Sequence, residues 1–197
     1  MSEPTQTDFA ATPTLAWGPV TLRAYHSGDE QALATAAEGL DQTWYTSVPS
    51  PAEIPAEIKW RNELQRQSAM APFVVCLHDE PVGMSAFMNL DAANRRLQIG
   101  HTWYATAVQG TVVNPAAKLL LLARAFEDLD CVAVEFRTHF HNRRSRAAIE
   151  KLGAKQDGIL RSHMFVSGVL RDTVVYSIIA VEWPTVKLGL TERLRHF

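Results

Sequence analysis

Apolar and polar residues alternate along several short stretches of the chain, and this period of two is typical of β-strands. The stretch FVVCLH and the stretch VGMSAFMNL flank the turn residues DEP, as in a β-hairpin. The predicted strands cover residues 20–25, 73–78, 82–90, 95–104 and 131–139, and a long C-terminal hairpin turns at Ser167–Gly168.

Apolar residues recur at helical spacing between these strands. A first helix is expected with its cap near Ser27 or Asp29. Ser50, Pro51 and Glu53 form a capping-box pattern, which predicts a second helix to about residue 67. Further helices are predicted over residues 115–129, over residues 143–152 between Asn142 and Gly153, and from Pro184 onward.

The order of these elements predicts one α+β domain around a mixed, mostly antiparallel sheet. A strand, a helix and a strand follow one another over residues 95–139, and such a unit is normally partly parallel and right-handed. Residues 1–14 are rich in Ser, Thr, Pro and Ala, so we expect a flexible segment there and a single domain over 15–197.

Composition narrows the class of protein. The formal net charge is −2 over 197 residues, which argues against a dedicated nucleic-acid binder. Cys76 and Cys131 are far apart, which fits a reducing compartment and gives no thiolate metal site. His139 and His141 lack an evident third ligand, so we expect no metal. With no signal-like or membrane-spanning stretch, we expect a cytoplasmic protein that does not bind membranes.

The stretch VQGTVVNPAAK places polar groups and a glycine directly before an apolar helix. The start of a helix presents unpaired N–H groups and a partial positive charge, so a phosphate is stabilised there. A plain Asn-Pro helix start without a ligand is the alternative. The groups expected to bind an anion are Gln109, Gly110, Thr111, Asn114 and Lys118.

The order of the elements, together with the segment HNRRSRAAIEKLGA, resembles the GCN5-related N-acetyltransferase (GNAT) family and its ribosomal-protein alanine acetyltransferase-like branch. The resemblance covers roughly residues 20–181. It implies a twisted sheet flanked by helices, with an acetyl-CoA cleft between splayed central strands. In the family pattern Arg/Gln-x-x-Gly-x-Gly/Ala, Gln109 matches the first position, whereas Val112 and Asn114 stand where the glycines are expected.

The resemblance also implies roles for the second helix. Asn142, Ser145 and Ile149 share one helical face, because they lie three and seven residues apart. Asn142 would hydrogen-bond the pantetheine arm, and Ser145 would lie near the sulfur. Many family members carry a tyrosine acid at the position of Ile149, so Ser145 is the candidate substitute. Plain helix-cap and first-turn roles remain the alternatives.

The proton acceptor is less well defined by the sequence. Gln98 stands where the branch often has a glutamate, which leaves His101 and His139 as candidates because imidazole titrates near neutral pH. A water path or a purely structural histidine is the alternative. A backbone N–H near Tyr104 and Ala105, where the strand splays, is expected to meet the oxyanion and the cofactor.

Two further groups of side chains are assigned with alternatives. Arg144 and Arg146, with Arg143, are expected to bind the phosphates of CoA, although a solvated helix face or an RNA contact would also explain them. Four aromatic residues are expected in the acceptor cleft or in the core. These are Trp44, Tyr45, Trp60 and Trp103.

These features predict an acetyl-CoA-dependent N-acetyltransferase. An amine, from a protein N-terminus or a small molecule, would attack the acetyl group directly in a ternary complex. A CoA-binding module with little or no turnover is one alternative, motivated by Ile149 and Gln98. An RNA-associated protein is another, and a homo-oligomer is compatible with the sequence.

Overall fold

The computed structural model describes residues 4–40, 44, 48–166 and 168–197. Within these residues, eight strands form one sheet in the order β1-β2-β3-β4-β5-β6-β8-β7, and every neighbouring pair is antiparallel except β5 and β6. This confirms the predicted mixed, mostly antiparallel sheet. The strands are β1 Leu15–Trp17, β2 Val20–Arg23, β3 Met70–Leu77, β4 Glu80–Asp91, β5 Arg96–Tyr104, β6 Ala133–His139, β7 Lys155–Val166 and β8 Val169–Ile179.

Six α-helices lie in the described part of the chain, and none of them is long and apolar enough to cross a membrane. Short 3-10 turns lead into the second and third helices, and a π-helical segment, Arg124–Asp128, continues the fourth. The helices are α1 Gln6–Ala10, α2 Glu30–Ala36, α3 Ile54–Arg66, α4 Val113–Ala123, α5 Arg143–Glu150 and α6 Trp183–Leu194.

The N-terminal segment differs from the sequence prediction. Where a flexible stretch was expected, Thr5 caps α1 and Asp8 completes the capping box. Phe9 of this helix is fully buried in the core, and the strand β1 pairs with β2. Burial of one large aromatic side chain contributes about 2 kcal/mol or more, which offsets part of the entropy lost when the segment is ordered.

Two helices begin at the caps predicted from the sequence, and a third begins earlier than predicted. Ser50 and Glu53 form the expected capping box, with Ser50 Oγ donating to the Glu53 carboxylate at 2.7 Å. Asn142 caps α5 and accepts from the Ser145 N–H at 2.9 Å. Helix α4, however, begins at Val113, so Asn114 lies in its first turn and is not its cap.

Helices cover both faces of the sheet. Residues of α1, α4 and α6 pack into one large hydrophobic core, and residues of α2 and α3 pack into a second, smaller one. Neighbouring residues of β3 alternate between the two cores, because successive strand side chains point to opposite faces. The central strands β4 and β5 are therefore held between α3 on one face and α4 on the other.

Candidate active site

The two parallel strands separate in the middle of the sheet. The pairing between β5 and β6 starts at Arg96 and Ala133 and extends only to Gln98 and Glu135. Strand β6 stays paired with β8 as far as His139, and β5 stays paired with β4 as far as Tyr104, so the two halves of the sheet separate from each other here. Beyond Gln98 the edge of β5 that faces β6 carries backbone groups without a strand partner, and a ligand can hydrogen-bond to such an edge.

A β-bulge distorts β5 beside this opening. Ser85 of β4 lies opposite two residues of β5, His101 and Thr102, and this two-to-one count defines a bulge. The backbone of His101 has a φ of 45°, which few residues other than glycine adopt. The bulge changes the direction in which the strand presents its side chains and backbone groups to the cleft.

A buried arginine holds the bulge from the α3 face. The side chain of Arg61 is 1% exposed, and its Nη2 donates to the carbonyl oxygen of His101 at 2.9 Å. Its Nε donates to the Glu57 carboxylate at 2.7 Å, so the charge is paired one turn earlier on the same helix. This contact fixes the backbone of the bulge to α3.

The opening is a cleft of about 700 Å³, a volume typical of small-molecule sites. No aspartate or glutamate is found among the described residues that line it, so its charged side chains are cationic. Such a lining favours an anionic ligand. The cations are Lys118, Arg137, Arg144, Lys151, Arg171 and Arg193.

The loop before α4 presents free backbone donors to one end of the cleft. Gly110 turns the chain with a φ of 80°, and the N–H groups of Gly110, Thr111, Val112 and Asn114 form no hydrogen bond with the described residues. Together with the partial positive charge of the helix start, these amides suit an anion. Four of the residues expected to bind an anion, Gln109, Gly110, Thr111 and Asn114, line the cleft here.

Gln109, which lines the cleft, also makes two contacts within the protein. Its Nε2 donates to the carbonyl oxygen of Tyr104 at 2.9 Å, and its Oε1 accepts from Arg144. Gln109 therefore ties the end of β5 to α5. Arg144, which makes this contact with Gln109, also lines the cleft, where its charge is available to a phosphate.

The start of α5 contributes two more polar groups. Asn142 is buried and lines the cleft, and its Oδ1 accepts from the Ser145 N–H, while its Nδ2 has no partner among the described residues. The hydroxyl of Ser145 also lines the cleft and forms no hydrogen bond there. Both groups are available to a ligand between the strands.

Lys118 lines the cleft, but not at the anion site. Its side chain is buried, and its Nζ donates to Thr102 Oγ1 at 2.9 Å and to Ser85 Oγ at 3.4 Å. The sequence carried a signal for this position, because Lys118 lies three and four residues before Leu121 and Leu122 and so shares their buried face. The ammonium thus points beneath the bulge instead of towards the loop.

His101 lies at the bulge and lines the cleft, as a candidate site residue should. Its ring meets Trp60 edge-on at 5.1 Å between centroids. Burial, assisted by the charge of Arg61, lowers the pKa of His101 to about 4. The imidazole is therefore neutral near pH 7, but it is a weak proton acceptor.

Two predicted binding residues, Arg146 and Ala105, have contacts elsewhere, and a third, Tyr104, lines the cleft. Arg146 follows Ser145, about 100° around the helix, and its Nε donates to the Tyr176 hydroxyl at 3.0 Å outside the cleft lining. The N–H of Ala105 donates to the Val82 carbonyl at 2.8 Å, and Ala105 is not in the lining either. Tyr104 does line the cleft, with a buried hydroxyl that lacks a partner among the described residues and a pKa raised by burial.

Two of the four predicted aromatic residues, Trp44 and Trp103, line the cleft. The ring of Trp44 lies 4.9 Å from that of His139 and 5.7 Å from that of His141, measured between centroids, and neither histidine is in the lining. Trp103 is also buried in the smaller core, Trp60 is outside the lining, and Tyr45 lies outside the described residues. Across the described chain, no three metal-binding side chains come together.

Ser85, Thr102 and Arg61 belong to this part of the structure although the sequence does not indicate them. Hydroxyl residues on strands and an arginine on an amphipathic helix are usually solvent-exposed, so their types carry no signal of burial. Only the bulge, which the alternation of residues does not reveal, brings these three side chains to the same point of β5.

The strand order, the single parallel pair and the cleft where that pair opens define an α+β class of protein with a ligand cleft between its central strands. Residues 20–155 match the family model described as an acetyltransferase (GNAT) domain. The chain therefore belongs to the GNAT family, as the sequence resemblance predicted.

Individual relatives agree with this assignment. The "Putative ribosomal N-acetyltransferase YdaF" of Bacillus subtilis (strain 168) is 36% identical over 101 residues, and the match spans 51% of this chain and 55% of that relative. The chain thus matches about half the length of this curated relative.

Solved structures show the same fold over nearly the whole chain. A GCN5-related N-acetyltransferase from Brucella melitensis superposes with a TM-score of 0.85 at 25% identity, covering 93% of this chain and 86% of that one. RimJ of Mycobacterium smegmatis, in complex with CoA-disulfide, gives 0.77 at 24% identity and covers 92% and 93%. The predicted fold is confirmed.

Proposed function

We propose that this chain transfers the acetyl group of acetyl-CoA to a primary amine, of a protein N-terminus or of a small molecule. The observation that carries the proposal is the cleft between β5 and β6, which has free amides at one end and no described carboxylate in its lining. Membership of the GNAT family supports the reaction. Acetyl-CoA would supply an activated thioester.

The residues of the cleft fit that ligand. The free amides from Gly110 to Asn114 suit a diphosphate, and Arg144 adds a charged donor next to them. Asn142 Nδ2 and the unpaired edge of β5 suit the amide groups of a pantetheine arm, which would lie as an extra strand where β6 has separated. Each polar part of the ligand therefore has a matching group.

The same residues suit the chemistry of acyl transfer. Backbone N–H groups at the edge of β5 are rigidly held beside the bulge, as donors to a developing oxyanion should be. Ser145 lines the cleft, and its hydroxyl, which has no partner among the described residues, would give a proton to the leaving thiolate. His101 remains neutral near pH 7, but with its low pKa it is a poor base.

The acceptor is proposed in two steps. The name of the Bacillus subtilis relative favours ribosomal proteins as the first acceptors to test. A chain that acetylates ribosomal proteins would act in the cytoplasm, so we propose that location with it. Small amines are the second group of candidates, because one fold serves many acceptors.

The binding step is tested by calorimetric titration with acetyl-CoA. We expect Arg144→Gln to weaken binding by about tenfold, the loss of one charge-assisted hydrogen bond. Arg143→Gln is the matched control, because Arg143 is exposed, adjacent on α5 and outside the cleft lining. Absence of binding at high micromolar acetyl-CoA would contradict the proposal.

The transfer step is tested with N-terminal peptides of ribosomal proteins and a panel of small amines, with detection of the free thiol. Robust release of thiol that depends on the amine is the expected result. Binding of acetyl-CoA without transfer to any amine would instead establish a CoA-binding module.

A further inference from the structure

Lys118 is an unusual group in the core. It is the one charged residue of α4, it is 6% exposed, and the described residues offer its ammonium hydroxyl groups but no carboxylate. Thr102 Oγ1 and Ser85 Oγ also bond each other at 2.7 Å. The three side chains therefore form a closed polar cluster under the bulge of β5.

This cluster favours the neutral amine. A buried ammonium without a counter-ion loses its hydration and gains nothing equivalent, so burial lowers the pKa of Lys118 to about 7. No charged neighbour contributes to this change. The elements around it carry other titratable groups, none of which contacts the ammonium. These are Arg23 of β2, Glu80 and Asp91 of β4, Arg96, His101 and Tyr104 of β5, Glu57, Lys59, Arg61, Glu63 and Arg66 of α3, Lys187, Glu192 and Arg193 of α6, and Arg124, Glu127 and Asp128 of the π-helical segment.

The cluster opens onto the cleft. Lys118 and Thr102 line it together with Ser145 and Asn142, whereas Ser85 does not. Since Thr102 lines the cleft and its Oγ1 lies 2.9 Å from Lys118 Nζ, a proton can move from the cleft to the amine through one hydroxyl.

We propose that Lys118 is the proton acceptor of this site and that it acts through the hydroxyl of Thr102. The inference rests on the proposed function. An acceptor ammonium gives one proton to Thr102 Oγ1, while Thr102 passes its own hydroxyl proton to Lys118 Nζ. No bond to carbon changes, Thr102 is regenerated, and the acceptor is left as a neutral amine beside a charged Lys118, which later returns the proton to solvent.

The histidine of the bulge is a weaker acceptor. His101 has a pKa of about 4, so it would take a proton from an α-ammonium, whose pKa is about 8, only at a large cost in free energy. A proton acceptor works best when its pKa is near the working pH, and the pKa of Lys118 meets this condition.

The first test measures Lys118 without any ligand. In protein labelled with ¹³C-lysine, the five lysines each give an ε-methylene signal, and the signal lost in Lys118→Met identifies Lys118. We expect this signal to titrate near pH 7, well below the ordinary lysine pKa of 10.5. Titration of Lys118 above pH 9 would overturn the proposal.

The second test follows kcat against pH with a saturating acceptor taken from the amine panel. We expect the rate of the natural chain to fall below about pH 7, with the pKa seen by NMR. Lys118→Met and Thr102→Val should each lower kcat about 100-fold and remove this pH dependence. Thr102→Ser should retain the rate within about threefold, because it keeps the hydroxyl.

Lys118→Arg separates a proton acceptor from a structural cation. Arginine keeps the positive charge but cannot lose it near neutral pH, so the relay predicts a rate as low as that of Lys118→Met. A Lys118→Arg enzyme that stays active within about threefold would show that the charge only holds the bulge. If the natural chain transfers no acetyl group at all, the proposed function fails and the relay with it. An active natural chain with an active Lys118→Arg variant refutes the relay alone.

Discussion

Replacing Lys118 by methionine is expected to stabilise the fold at neutral pH, although the residue is buried. Methionine has nearly the same length and carries no charge. In the unfolded chain the lysine has its ordinary pKa of 10.5, and in the fold burial lowers it to about 7. At about 1.4 kcal/mol for each pH unit, this difference opposes folding by about 5 kcal/mol.

The sign of the pH dependence follows from the protons bound. Between about pH 7 and 10.5 the unfolded chain holds a proton on Lys118 that the folded chain lacks, so the free energy of unfolding of the natural chain rises with pH across this window. The penalty is complete below about pH 7 and absent above the ordinary lysine pKa. A methionine variant lacks this term altogether.

Lost hydrogen bonds reduce the gain. The variant leaves Thr102 and Ser85 without the lysine donor, but their hydroxyls still bond each other, so the loss is about 1 to 2 kcal/mol. We therefore expect Lys118→Met to be more stable by about 3 kcal/mol at pH 7, with the advantage disappearing by about pH 10.

Urea unfolding followed by tryptophan fluorescence at several pH values between 7 and 10 measures this difference. Lys59→Met, at an exposed position of α3, is the control and should show no such trend. A difference between Lys118→Met and the natural chain that does not change with pH would refute the reasoning. So would a variant that is less stable at every pH, because the lysine would then be charged and well bonded in the fold.

Three other substitutions test residues that hold the strands and the helix of the site in position. Gly83→Ala would place a Cβ 2.2 Å from the Trp103 carbonyl oxygen, so we expect the Tm to fall by more than about 5 °C, whereas Gly158→Ala, with open space around it, should change it little. Asn142→Ala should cost about 1 kcal/mol in urea unfolding through loss of the cap, and Asn142→Ser should restore stability but not acetyl-CoA affinity in calorimetry. Arg61→Ala should cost about 3 to 5 kcal/mol in the same unfolding assay, since it leaves a carboxylate unpaired. An unchanged Tm for Gly83→Ala, or an unchanged free energy of unfolding for Asn142→Ala or Arg61→Ala, would contradict the corresponding expectation.

Features with short-range causes were predictable from the sequence. The Ser50 capping box and the Asn142 cap depend on residues three positions apart, and both helices start as expected. The segment that begins at Asn142 also indicated the family, which the family model confirms. The burial of Phe9 was not predicted. This residue lies in a polar, Pro-containing stretch for which a flexible segment was expected, and it packs against strands that are distant in the sequence.

Features that depend on the sheet were not predictable. The bulge changes which face of the sheet the residues of β5 point to, and it arises from the pairing of β5 with β4. The contact between Thr102 and Ser85 could therefore not be predicted from the alternation of residues. Lys118 was expected at the loop, since a lysine one turn into a helix can reach an anion there. Its position among leucines on the buried face of α4 indicates the observed burial of the side chain better than its distance from the loop does.

The bulge of β5 is held by two buried cations of different kinds, and this difference locates the pH sensitivity of the site. On the α3 face, Arg61 contacts the His101 carbonyl and is paired with Glu57, and a guanidinium keeps its charge near neutral pH. On the α4 face, Lys118 meets only hydroxyls in the described chain, so its charge changes near neutral pH. The α3 contact can therefore fix the geometry of the cleft at every pH, while the α4 contact is the one able to exchange a proton with it.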